Sequence, residues 1–358
     1  MNVTFSIYKR APSWWDSEVE KNNGLFHSST KWSAFYEKLG LGRGRYLEVL
    51  VDNKRALLLL FTEGVIGGGL LVMMPKVILK ILIRFPYVAT ITMHLQPVII
   101  LKELGRNEKE MLEVSKKTLG YILNYAKKNK MNMTASDYIC FKNLSSAVTL
   151  QKRSPENYEL LGTSRLKLIS EEENYKKLPP AVRNKIAKAM KSGARIKFLD
   201  SSDISLYLQG LQQGWKTNGL AVNSDSFYKE MSILYPDDVK FVVAIYKKTV
   251  LAGSGLMLLG NGILEFGIYS TPQRRVLKIP GGDLLKWEII KFGLAHNYQF
   301  LDLNMIGVSQ DGVLDEKIEN INYYKTKWGG ESLYGVRISK LARPLVTVQK
   351  IKYKFLGY

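Results

Sequence analysis

The stretch from Leu264 to Glu331 constrains this chain most, because its order of strand, helix and strand fixes a crossover. Leu264, Phe266 and Ile268 alternate with Glu265, Gly267 and Tyr269, which is the period of a strand. Pro280-Gly281-Gly282-Asp283 then opens a helix with the apolar stripe Leu285, Ile289, Phe292 and His296. Phe300 to Asn304 alternates again. Two such strands joined by a helix of this length pair in parallel with a right-handed crossover. A ligand is expected where the carboxyl ends of the strands meet the helix N-terminus.

A chain of 358 residues exceeds the usual single core, so two domains are expected, residues 1–162 and 163–358. Hydrophobic residues make up 46% and charged residues 23%, a globular balance that leaves no need for extensive disorder. The single cysteine, Cys140, excludes an intramolecular disulfide, and no metal site is expected from its surroundings. The net charge of +20 raises the local concentration of anionic partners, whether RNA, an acyl-carrier nucleotide or anionic lipid. Met1 to Arg10 lack an apolar core followed by small residues, so the chain is expected to stay in the cytoplasm.

In the first half, Trp14-Trp15-Asp16 and Thr30 to Tyr36 read as two helix starts, with Thr30 as a cap. Arg45–Val51 and Ala56–Thr62 flank the polar turn Asp52-Asn53-Lys54 and read as a hairpin. Residues 64–88 are apolar but broken by Pro75, Lys76, Lys80 and Arg84, which disfavours a membrane span. The spacing of Lys76, Lys80 and Arg84 suits either a buried helix with a basic edge or a segment lying at the inner face of the membrane. Strand character at 87–101, a helix over Glu108–Lys130 and a strand over Met131–Ser136 repeat the order of the second half. The first half carries acid, Glu108, where the second carries glycines.

Gln151–Thr163 reads as a polar crossover segment between the halves. A basic helix with Arg183, Lys185, Lys188 and Lys191 starts at a proline and ends by Gly193. Helices over 205–217 and 226–234 and a hairpin over 241–259 follow. Beyond Trp328-Gly329-Gly330, Ser332–Ile338 reads as the final strand, and Arg337, Lys340, Arg343, Lys350, Lys352 and Lys354 form a basic tail suited to RNA or a membrane surface.

The organising stretch resembles the acyl-donor half of a GNAT-type acyltransferase. The cluster Tyr324-Lys325…Trp328-Gly329-Gly330 and the segment Leu25 to Trp32 with Phe35 and Gly40 are similar to the Fem-type branch, as are Arg183, Ile186 and Ala189 in the basic helix. The resemblance covers nearly the whole chain. It implies an α/β fold of two tandem GNAT-like domains, each a mixed, mostly antiparallel sheet with a parallel splayed strand pair flanked by helices. It implies transfer of an acyl or aminoacyl group, from acyl-coenzyme A or aminoacyl-tRNA, to an amine, with no tightly bound cofactor. The branch places its aromatic-Lys pair at the reaction centre, so Lys325 is the expected charge stabiliser and Tyr324 its neighbour. Members acting on a nucleotide-linked cell-wall peptide carry a lysine shortly after the tryptophan matching Trp32. Tyr36 stands there in this chain, with Lys38 nearby.

Acyl transfer to an amine needs a neutral amine, donors for the developing oxyanion and a proton for the leaving group. Glu265 and Asp302 are the expected proton acceptors, Tyr269 a donor, and Asn304, Trp215, Trp32 and Tyr36 the acceptor walls. Gln273, Arg274, Arg275, Lys278, Gly281 and Gly282 approximate a phosphate loop, but an insertion separates its cations from its glycines. Asp283 places acid at the positive end of the helix. The contrasting reading is a non-catalytic basic module of the same fold, binding RNA or an anionic membrane surface.

Overall fold

The computed structural model describes residues 1–65, 89–93, 97–152, 158–217, 224–309, 311 and 313–340. The first half runs β1 (Val3–Tyr8), α1 (Trp15–Lys21), α2 (Thr30–Lys38), β2 (Arg43–Val51), β3 (Lys54–Val65), β4 (Ala89–Met93), β5 (Val98–Ile99), α3 (Lys102–Arg106), α4 (Glu108–Lys128), β6 (Asn132–Phe141) and α5 (Leu144–Gln151). The second runs β7 (Tyr158–Lys167), α6 (Glu171–Lys177), α7 (Pro180–Lys191), β8 (Arg195–Leu199), α8 (Ile204–Thr217), α9 (Asp225–Leu234), β9 (Val239–Tyr246), β10 (Thr249–Leu259) and β11 (Gly262–Ser270). It closes with α10 (Gln273–Val276), α11 (Gly281–Ala295), β12 (Phe300–Gly307), α12 (Glu316–Thr326) and β13 (Glu331–Lys340). Lys76, Lys80, Arg84 and the tail beyond Lys340 lie outside the described residues.

One continuous sheet carries the order β1-β2-β3-β4-β6-β13-β7-β12-β11-β10-β9-β8, with β5 beside β3. Read inward from either edge, the pattern is the same. Antiparallel strands lead to a parallel pair, β4 with β6 and β11 with β12, each bridged by a helix, α4 or α11. At the seam β13, from the end of the chain, crosses to pair with β6 of the first half, and β7 joins it to β12 of the second. Residues 158–163, read from sequence as crossover, therefore open a seam strand, because pairing on both sides satisfies their backbone groups.

Local chemistry explains the elements. Asp52 and Asn53 both adopt positive φ, 48° and 64°, which a two-residue hairpin turn requires, so Lys54 already pairs with Val51. Ser29, one residue before the expected Thr30, caps α2 by accepting from the Trp32 N–H at 3.4 Å. Asn107 caps α4 by accepting from the Glu110 N–H at 3.3 Å. Pro180 occupies the first turn of α7, and Val182, Ile186 and Ala189 bury one face of it.

Three apolar clusters build the core. One is shared by the halves across one face of the sheet, joining Trp15, Phe26, Trp32 and Phe35 to Tyr207, Tyr228, Phe241 and Phe266. The other face carries separate clusters, one under α4 around Tyr138 and Phe141 and one under α11 around Trp287, Ile289 and Leu301. Lys31 with Asp238 at 2.7 Å and Lys38 with Glu230 at 2.9 Å add polar ties between the halves.

Candidate active site

β11 and β12 pair over Gly262↔Phe300, Ile263↔Leu301 and Leu264↔Asp302, and then part. Two left-handed residues accompany the divergence, Gly267 at φ 54° and Asn304 at φ 66°. A side chain at Gly267 would collide with the Tyr207 hydroxyl, which donates to the Gly267 carbonyl at 2.7 Å. Asn304 props the opening: its side-chain amide donates to the Glu265 carbonyl at 2.9 Å, and its Oδ1 accepts from the Met305 N–H at 2.7 Å. The Asn304 N–H donates to Asp302 Oδ1 at 2.9 Å.

Charge is concentrated around this wedge. Glu265 is fully buried and takes hydrogen bonds from the Ser254 hydroxyl at 3.0 Å and from the ammonium of Lys286, itself 1% exposed. Asp302 accepts from the Thr163 hydroxyl and meets Arg165 Nη2 at 3.4 Å. Asp283, in the first turn of α11, pairs with Lys327, while the Tyr324 hydroxyl donates to the Gly282 carbonyl at 3.0 Å. Lys325 donates to the Met305 carbonyl on β12. Lys286 and Lys327 thus each pair with a carboxylate, whereas the Lys325 ammonium has none within ion-pair range among the described residues.

These surroundings shift the ionisable groups. Burial pushes the Lys325 ammonium down to about 8, against a smaller opposing pull from Asp302. Burial, reinforced by Lys325 and Lys327, lowers Lys286 well below the ordinary lysine value. Burial also lowers Lys327, opposed by Asp283, and raises Tyr324.

The structure gathers Lys325, Tyr324, Glu265, Asp302, Asn304, Gly281 and Gly282 around the wedge, and it separates Tyr269 from them. The strand bulges opposite Gly253–Gly255, so Tyr269 turns to the face of Phe266 instead of that of Glu265. Its ring lies over Gly210 and Gly253, and its buried hydroxyl has no hydrogen-bond partner among the described residues. Trp215 is half-buried against the shared core, its indole N–H donating to the Ile268 carbonyl at 3.0 Å. Trp32 and Tyr36 pack in the same core with ring centroids 4.7 Å apart and planes tilted by 46°, and burial pushes the Tyr36 phenol up to about 12. Arg275 and Lys278 are exposed beside α10, Arg274 is half-buried, and the buried Gln273 Oε1 lacks a partner. Gly281 lets α11 approach β10, since a Cβ there would fall 2.7 Å from that of Leu251.

Sequence reasoning missed Lys286, Ser254, Thr163 and Arg165. Lys286 adjoins Leu285 and precedes Ile289 in the helix, and nothing in that neighbourhood marks it as the lysine that reaches inward to Glu265. His296, assigned to the apolar stripe, is the exposed C-cap.

Residues 149–252 match the sequence profile of the FemAB family. Among solved structures, that of FemX is similar with a TM-score of 0.63 and 12% identity, covering 96% of this chain and 99% of FemX. A tandem GNAT protein from the clavulanic acid biosynthesis pathway aligns with a TM-score of 0.49 and 9% identity, over 95% of this chain and 98% of its own. L-PGS from Bacillus licheniformis aligns at 0.47 and 11% identity, over 94% and 95%. No curated protein matches the sequence. The chain has the fold of FemX, with two sheet-and-helix units in tandem, and carries a FemAB-family sequence match over residues 149–252. Among the described residues no group of side chains could hold a metal ion, and no helix is long and apolar enough to cross a membrane.

Proposed function

We propose that this protein transfers an acyl or aminoacyl group from an activated donor to an amine, with Lys325 at the reaction centre. The observation that carries the reading is the Lys325 ammonium, set at the mouth of the strand wedge on the Met305 carbonyl without a carboxylate partner among the described residues. An ammonium so placed can donate to the oxygen that gains charge when the amine attacks the donor carbonyl. Lowered to about 8, it is also matched to giving a proton to the departing oxygen near neutral pH. The amine–carbonyl bond forms, the ester or thioester bond breaks, the leaving group takes a proton from Lys325, and the proton released by the amine returns Lys325 to its ammonium form. Glu265 and Asp302, each already holding a cation, serve in this reading as fixed charges that shape the site.

The donor reading favours aminoacyl-tRNA over acyl-coenzyme A. Asp283, neutralised by Lys327, fills the first turn of α11, where a pyrophosphate would otherwise meet the helix dipole. The exposed Arg275 and Lys278, with Arg274, suit a phosphodiester backbone better than one buried pyrophosphate. The division at residues 162 and 163 accompanies this reading, with acceptor or scaffold duties in the first half and donor duties in the second. Incubation with labelled acetyl-coenzyme A and, separately, with charged tRNA tests the proposal. Label should pass from tRNA to an amine in the wild type, and Lys325→Ala should lower turnover by about 10²–10³-fold while donor binding persists. Binding of RNA with no transfer under either condition would leave a non-catalytic basic module instead.

A further inference from the structure

A cavity of about 230 Å³ lies at the seam, between the turn after α1, β5, the end of β6, and the seam strands β7 and β13. Its charged walls are Arg165 and Lys142, its polar ones include Asn22 and Asn23, and no carboxylate lines it among the described residues. At the α4 start, Glu108 directs Oε1 to the backbone N–H groups of Lys142 and Asn143 at 2.7 and 3.2 Å, while its buried Oε2 has no hydrogen-bond partner among the described residues. We propose that this cavity binds a small anionic group, a phosphate or a carboxylate, held by Arg165 and Lys142.

Two features of Arg165 support this. Its guanidinium carbon lies over the Phe300 ring, 4.3 Å from the centroid, in a residue that lines the cavity, and a planar guanidinium is matched to a two-oxygen anion. It also meets Asp302 at 3.4 Å, the long end of a hydrogen bond, so an anion in the cavity competes for it. Asp302 in turn raises the affinity of Lys325 for its proton. A bound anion that draws Arg165 away leaves Asp302 more negative toward Lys325 and raises the Lys325 pKa. This coupling rests on the proposed transferase reading; the binding does not.

The full-length chain is titrated calorimetrically with inorganic phosphate and, separately, with succinate. The slow alkylation of Cys140 by iodoacetamide is followed in parallel at alkaline pH, because this single cysteine, part of the cavity wall, has its thiol pushed up by burial. Saturable binding of either anion, slower alkylation at saturation, and an affinity lowered on the order of tenfold by Lys142→Ala and by Arg165→Gln are expected. The better ligand identifies the source as phosphate or carboxylate. Absence of saturable binding by both anions, or binding indifferent to Lys142→Ala and leaving Cys140 alkylation unchanged, overturns the proposal. If Arg165→Gln does not fold, the exposed Lys142 and the Cys140 rate decide. Binding that persists in a preparation without transfer activity would sink the transferase reading and spare the site.

Discussion

The two parallel crossovers, β4-α4-β6 and β11-α11-β12, share a topology and differ in what they bury. Under α4 the buried polar groups include Ser115, Thr118 and Tyr138, with the Tyr138 hydroxyl donating to Ser115 at 3.2 Å, and the neighbouring β6 contributes one buried carboxylate, Asp137, paired with Arg337 at 2.7 Å. Under α11 the interior holds Glu265, Lys286 and Asp283, and the neighbouring β12 contributes Asp302. Neutral hydroxyls cost little to bury once hydrogen-bonded, whereas charges cost several kcal/mol each unless paired. The second crossover therefore stakes more stability on pairing, and that is the half where the wedge and Lys325 lie. Topology repeats while chemistry does not.

The contrast can be broken at its most costly point. Lys286→Met leaves Glu265 buried without its cation and should cost about 3–5 kcal/mol in urea unfolding, while Lys286→Met combined with Glu265→Leu should recover most of it. The corresponding change under α4, Ser115→Ala, should cost roughly 1 kcal/mol. Equal costs in the two halves would refute the distinction.

The pH dependence sharpens it next. The Lys325 pKa falls from 10.5 when unfolded to about 8 when folded, so between those values the unfolded chain binds more protons. Stability from this group therefore rises as pH climbs from about 8 to 10.5, and is lowest below 8, where the buried ammonium is protonated. Lys325→Met should flatten that rise. Transfer that uses the ammonium should fall over the onset of the same window, near pH 8.

Asn304 offers a smaller test. Asn304→Ala must hold a positive φ and loses the prop to Glu265, and should cost about 1–3 kcal/mol. Asn304→Gly keeps the backbone at ease and should cost roughly 1 kcal/mol, yet lower transfer as much as Asn304→Ala does. Smallest of all, Asn107→Ala removes the α4 cap for about 1 kcal/mol and should leave transfer unchanged. A matching loss of transfer would place the first crossover in the chemistry.

Much of the fold was legible because periodicity and turn chemistry are local. The hairpin at Asp52-Asn53, the proline start of α7, the glycine start of α11 and the parallel strand pair all follow from neighbouring residues. Lys325 was legible only through its motif. Tyr269 was misplaced because one bulged, left-handed glycine at 267 reverses the faces beyond it, and alternation carries no mark of where a strand bulges. Lys286 was invisible for a different reason: a lysine amid leucine and isoleucine reads as a solvated edge until the carboxylate it meets, 21 residues away, is known.

What the sequence determined by itself was the order of strands and helices and the excess of positive charge, since both depend on residue type and near spacing. The tertiary structure decided which strands meet at the seam and which carboxylates are spent on cations. It also left the Lys325 ammonium without a carboxylate among the described residues. The physical reason is that pairing of buried charges is a property of contacts across the sheet, and the same side chain is inert or reactive according to which opposite charge the fold brings within reach.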